Sequence, residues 1–150
     1  MFEFIIPGKA QPKQRPRISR KTNTVYTPYE TLKYEKLVGL SFLQNKGKRI
    51  DNGAVSIKIV YCMQPPKSCT KKVRSEILAG NIQPTKAPDL DNIAKSILDG
   101  LNKIAFKDDC QVVELTVQKR YLFHETAPFV IVYLQELHNV SELSHNTNIE

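Results

Sequence analysis

The chain has 150 residues, of which 41% are hydrophobic and 25% charged, the profile of one globular domain with enough apolar material for a core. Lys and Arg outnumber Asp and Glu by 22 to 15, a formal net charge of +7. No apolar run approaches the ~20 residues that span a bilayer. Three cysteines without a C-x-x-C pair, and histidines at 124, 138 and 145 without zinc-like spacing, disfavour a disulfide framework, a thiolate enzyme and a zinc enzyme.

The reading is therefore of a cytoplasmic protein, since Met1–Pro7 also lacks the flanks of a signal peptide. Glu136–Glu150 holds three Glu and no Lys or Arg, so the rest carries a formal +10. Such a surface suits a polyanion and salt-dependent binding. Residues 1–136 are expected to form one domain, and 137–150 a polar, flexible tail.

Residues 2–6 alternate loosely and predict a short strand. Pro7 to Lys21 follows with three prolines, six basic residues and no acid. Proline removes donors and discourages regular structure, so this is an extended loop. Lys9, Lys13, Arg15, Arg17, Arg20 and Lys21 are its candidate phosphate contacts, with Arg15 and Arg17 leading; the alternative is a solvated charged loop. Thr24–Thr27 predicts a short strand in a hairpin with this loop. Thr27 before Pro28 predicts a helix start, with Thr27 as N-cap. That helix runs to about Asn45, with Leu32, Leu37, Leu40, Phe42 and Leu43 as its apolar face, Tyr29 and Tyr34 on its edges and Gly47 as its stop.

Asp51-Asn52-Gly53 is a turn. Ala54–Met63 then alternates as a strand, with Val55, Ile57, Ile59 and Tyr61 on one face. Residues 67–80 predict a short basic helix, capped near Ser68 or Thr70 and stopped at Gly80. Lys71, Lys72 and Arg74 are either part of a nucleic-acid footprint or a solvated face. Residues 81–88 form a loop in which Lys86 is a further candidate DNA contact. Residues 111–121 and 129–134 predict two strands, antiparallel neighbours across a loop at 123–128. Cys62 and Cys110 are expected as packing residues. The order β-β-α-β-α-α-β-β is an α+β (mixed α/β) fold with helices on a small mixed sheet.

Pro88–Val112 carries the chemistry. Pro88 keeps Ala87 out of helix, so a helix begins after it, with Asp89 or Asp91 as N-cap. Projected over 89–104, Leu90, Ile93, Ala94, Ile97, Leu98, Leu101 and Ile104 share one arc. Asp91, Asn92, Lys95, Ser96, Asp99, Asn102 and Lys103 share the other. Gly100 inside the pattern weakens the helix by about 1 kcal/mol relative to Ala. A second acidic pair, Asp108 and Asp109, precedes the next strand. Gathered carboxylates repel unless a cation lies among them, and Mg2+ takes oxygen ligands with water and phosphate completing its shell. The expectation is a cup built from Asp89, Asp91 and Asp109 or Asp108, with Lys95 one turn along to steady a phosphate. The alternative is ordinary capping at the helix start and turn chemistry at D-D; Asp99 reads as a solvated or locally paired residue.

The stretch D-L-D-N-I-A-K-S-I-L-D-G-L-N, then F-K-D-D-C-Q-V, resembles the RusA family of Holliday junction resolvases. That family's pattern is D-x-D-N-x-x-K-x-x-x-D-x-L followed by D-D-x-Q-V. G-K-A-Q-P-K-Q-R-P-R also looks like the N-terminal loop of many RusA-like proteins of phage origin. The resemblance implies a homodimeric, Mg2+-dependent endodeoxyribonuclease acting on branched DNA, with Mn2+ as a possible substitute. It implies catalytic, metal-binding carboxylates at Asp89, Asp91 and Asp109 and a catalytic lysine at Lys95. Rival readings are a flap or other structure-selective nuclease, and a DNA-binding module without catalysis.

Overall fold

A computed structural model of the protein describes residues 1–122 and 127–138. The elements are β1 (Phe2–Pro7), β2 (Arg17–Ile18), β3 (Val25–Tyr26), α1 (Tyr29–Gln44), β4 (Ala54–Met63), α2 (Lys71–Leu78), α3 (Leu90–Leu101), a 3-10 turn (Asp109–Gln111), β5 (Val112–Tyr121) and β6 (Phe129–Leu137). This is the mixed α+β order expected from the sequence. Most of the loop expected at 123–128, and the tail beyond His138, lie outside the described residues. None of the described helices is long and apolar enough to cross a membrane.

The main sheet has the order β1-β6-β4-β5, and β2 pairs with β3 in the expected small hairpin. β4 runs antiparallel to β6 and parallel to β5. The expectation that β5 and β6 are neighbours is thus corrected, because β4 lies between them. Burial explains the choice. β4 is buried at Val55, Ile57 and then continuously from Ile59 to Cys62, as an inner strand requires, whereas β5 exposes Val113–Thr116 and takes the edge. Parallel neighbours need a crossover, which α2 and α3 supply.

α1 and α3 cover one face of the sheet. Ile93, Ile97, Leu101, Val38 and Phe42 meet Phe4, Ile6, Ile57, Ile59, Val130 and Val132 in one core. Phe42 packs edge-on against Phe2 and Phe4, with centroids at 5.5 and 5.6 Å.

α1 is rotated from its expected phase. Its buried residues are Thr31, Tyr34, Val38, Gly39, Ser41 and Phe42, while Leu32, Leu40 and Leu43 are exposed and Leu37 is half-buried. Large apolar residues occur on both sides of this helix, so their pattern did not mark the inner face. The N-cap is Pro28 rather than Thr27, with no side-chain cap. α2 begins at Thr70, whose Oγ1 accepts from Val73 N at 3.2 Å. Cys62 is buried as expected, whereas Cys110 is exposed.

α3 buries most of its expected arc, but ends at Leu101, leaving Ile104 beyond it. Ser96, expected on the polar side, is fully buried; its hydroxyl donates to Ile93 O at 3.0 Å, which removes the cost of an unpaired polar group. Gly100 has a packing role. A Cβ there would lie 2.8 Å from both Glu35 O and Val38 Cβ, so the missing side chain is what lets α1 approach. Gly100→Ala is therefore expected to destabilise the protein by about 1–3 kcal/mol through overpacking, against the ~1 kcal/mol gain that helix propensity alone gives. Urea unfolding decides the sign.

Candidate active site

Asp89 occupies the N-cap of α3 with extended backbone (φ −71°, ψ 144°), yet its side chain makes no capping hydrogen bond. Asp91 follows in the first turn, and both side chains are exposed. The capping role that the sequence left open is thus not the use to which Asp89 is put. These carboxylates are hard oxygen donors. The positive end of the helix dipole opposes a cation there, and the two negative charges offset it. Lys119 of β5 fixes the approach to this corner: its Nζ donates to Lys86 O at 2.7 Å and to Pro88 O at 3.1 Å. No local signal in the sequence marked Lys119 for that role.

The second acidic pair is organised differently. Asp108 caps the 3-10 turn: Cys110 N donates to Asp108 Oδ1 at 2.9 Å, and Asp108 N donates to Gln111 Oε1 at 3.0 Å. The hydrogen bond from the Cys110 backbone holds the Asp108 carboxyl below the usual range. Gln111 Nε2 also donates to Gly53 O at 3.1 Å, tying the turn to the start of β4. Asp109 makes no capping bond of this kind and is half-buried. Ligand atoms of Asp108, Asp109 and Cys110 lie within 4.8 Å of one another, the one such trio among the described residues. The Cys110 thiol is held above its ordinary pKa by its hydrogen bond to Asp108, so the donors suited to a hard ion here are the carboxylates.

The two acidic pairs do not converge within one chain. Residues 102–111 connect α3 to β5, which runs back along the helix. Ala105 N bonds Leu101 O, Ile50 N bonds Ala105 O and Gln111 Nε2 bonds Ile50 O, so the second pair sits at the C-terminal end of α3. The first pair sits at the other end, beside Lys119. Seven residues of strand separate Val112 from Lys119, on the order of 20 Å, and the 12 residues of α3 span a similar length. Within one chain the lengths of α3 and β5 therefore lie between Asp109 and the pair Asp89 and Asp91, which the sequence reading gathered into one cup.

Lys95 is exposed on α3, and its Nζ donates to Asp99 Oδ1 at 2.9 Å. Asp99 Oδ2 in turn takes Lys13 Nζ at 2.9 Å, and Lys13 also pairs with Glu35 of α1. Lys13 is thus committed to a half-buried network, which sets it apart from the other lysines and arginines of its loop. Lys13 N donates to Asn92 O at 3.1 Å, fastening the loop to the first turn of α3. Lys9, Arg15, Arg17, Arg20, Lys21 and Lys86 are exposed, with no ion pair among the described residues. Glu35 was not legible as a partner, since 22 residues separate it from Lys13. Asp99 was legible only as a local partner.

Burial opposes ionisation of Asp99, but hydrogen bonds and charge from Lys13 and Lys95 outweigh it, so its carboxyl lies below the ordinary value. A depressed carboxylate stabilises fully above its unfolded pKa and loses that contribution as pH falls through the folded value. Asp99→Asn is expected to cost about 1 kcal/mol near neutrality. The gap from the parent should stay level from about pH 5 to 8 and close below about pH 4 in urea unfolding.

Residues 7–133 match the family described as Endodeoxyribonuclease RusA. A curated relative, "Uncharacterized protein YqaN" of Bacillus subtilis (strain 168), is 32% identical over 140 residues, which cover 91% of this chain and 96% of that protein. The matched region takes in both acidic pairs, Lys95 and the basic loop. With most of both chains aligned and the acidic helix in place, the protein belongs to the RusA endodeoxyribonuclease family.

Proposed function

We propose that the protein is a Mg2+-dependent endonuclease that resolves Holliday junctions in DNA recombination and repair, working as a homodimer whose two active centres are each shared between chains. The observation that carries this reading is the exposed carboxylate of Asp89 at a cap position, making no capping hydrogen bond, beside Asp91, on the corner where the basic loop is fastened. Family membership supplies the reaction class. The separation of the acidic pairs supplies the need for a second chain: a two-fold axis that reverses β5 offers Asp109 of the partner subunit to Asp89 and Asp91, and does so twice.

Asp89, Asp91 and the partner's Asp109 are the set that would hold the ion, with Asp109 preferred because Asp108 is spent on the 3-10 turn. The set is all oxygen, which fits Mg2+ and admits Mn2+. When bound, such an ion lowers the pKa of a water and polarises the scissile phosphodiester. Lys95, exposed one turn above Asp91, supplies positive charge to the attacked phosphate. Asp99 holds the Lys95 ammonium from the other side and limits its reach. Arg15, Arg17, Arg20 and Lys21 grip flanking phosphates without reading sequence, so binding should weaken steeply with salt. Two centres related by symmetry match two cuts of opposite strands in a four-way junction.

Asp91→Asn and Asp109→Asn are each expected to lower Mg2+-dependent cleavage of a synthetic four-way junction by at least about 100-fold while leaving junction binding intact. Mixing the two inactive proteins should restore cleavage towards about a quarter of the parent's centres, because half the dimers are mixed and each holds one complete centre. No restoration would show that each centre belongs to a single chain. Equal cutting of linear duplex would reject the junction preference and keep the nuclease; binding without cleavage in any divalent metal would reject catalysis.

A further inference from the structure

We propose that Lys119 is a positioning residue for the metal-binding corner: its ammonium clamps the backbone that enters Asp89 and so sets where the Asp89 and Asp91 carboxylates stand. The inference rests on the metal-site reading above and adds to it a residue that reaches the site only through the main chain.

Lys119 stands opposite Tyr61 in the parallel ladder of β4 and β5. Tyr61 and Val117 pack in or against the core, and residues two apart on a strand share a face. The Lys119 side chain therefore rises on the face that α3 covers, and it is half-buried. An ammonium has three donors, and two of these go to Lys86 O at 2.7 Å and Pro88 O at 3.1 Å. Among the described residues Lys119 has no carboxylate partner. Its bonds go to the main chain, on the segment that delivers Asp89.

That segment has no other hydrogen-bonded support. Residues 85–88 belong to no helix or strand, Thr85, Lys86 and Ala87 are exposed, and no other hydrogen bond among the described residues engages their backbone. The first turn of α3 is tied on its far side, where Ile93 N donates to Asp89 O and Lys13 N to Asn92 O, each at 3.1 Å. The near side depends on Lys119. Pro88 O belongs to the peptide unit that supplies Asp89 N, so holding that plane holds the start of the helix. Asp89 makes no capping bond of its own, which leaves the backbone to direct its carboxylate. Ligands held in place bind an ion more tightly than ligands that must first be ordered. The charge of Lys119 has the opposite effect, since a cation beside the site repels the ion. The sign of the change on removing Lys119 therefore separates the clamp from the charge.

Lys119→Met keeps the apolar stem and removes the donors, whereas Lys119→Arg keeps charge and donors. Mn2+ binding is read from the electron paramagnetic resonance of the free ion, without DNA, for both variants, the parent and Asp91→Asn. The expected result is a Mn2+ dissociation constant raised about tenfold or more in Lys119→Met, with an unchanged circular dichroism spectrum and most of the affinity restored in Lys119→Arg. Cleavage of the four-way junction should need correspondingly more Mg2+, while junction binding without divalent ion stays at the parent's level. Should Lys119→Met fail to fold, Lys119→Gln gives the same comparison with a smaller change. Parental or tighter Mn2+ binding in the folded variant would overturn the inference, and a loss of the ion in Asp91→Asn alongside it would keep the metal site. Mn2+ binding untouched by Asp91→Asn would reject the metal site and this inference together. Weaker junction binding with a shallower salt dependence, at parental Mn2+ affinity, would assign the ammonium to a phosphate instead and overturn the clamp.

Discussion

Residues 102–111 join α3 to β5 by a compact connection, so the strand begins near the helix's C-terminal end and runs back along it. That constraint governs this molecule. α3 carries one acidic pair at its start, and the turn into β5 carries the other. The rigid length of helix and strand holds them apart, and no side-chain rotamer closes a gap of that order. At that separation the two pairs repel one another little.

The basic residues divide in the same functional way. Lys13 lies in the most basic stretch of the chain but is turned inward to Glu35 and Asp99, where it joins the N-terminal loop, α1 and α3. Its neighbours Arg15, Arg17, Arg20 and Lys21 face solvent. One lysine therefore fixes where the loop sits, while its basic neighbours stay exposed. The backbone bond from Lys13 to Asn92 brings that loop to the corner where Asp89 and Asp91 stand. One short segment thus fastens the basic loop to the helix that carries Asp89 and Asp91.

Local order was legible in the sequence where a single periodicity dominated. β4 and α3 declare themselves because their apolar residues repeat at one spacing, and Thr70 and Gly80 mark the ends of α2 by capping chemistry. α1 did not, because Leu32, Leu40 and Leu43 lie outside while Thr31 and Ser41 are buried. The inner face there is set by close approach at Gly39 and Gly100, which a hydrophobic pattern does not encode. The placement of β4 between β5 and β6 was missed because adjacent strands in sequence were taken as a hairpin. The acidic residues were legible as chemistry, since D-x-D and D-D carry the family's pattern; their distance apart was not, because it belongs to topology. Glu35 and Lys119 act through long-range contacts that leave no mark in local spacing.

Crystals of the protein grown with Mn2+ offer the most direct measurement, through the anomalous signal of the ion. The account predicts one peak at each of two symmetry-related centres, ligated by Asp89 and Asp91 of one protomer and by Asp109 of the partner subunit. A peak ligated by carboxylates of one chain alone, or an ion held at the second acidic pair with Asp89 and Asp91 unligated, would contradict it.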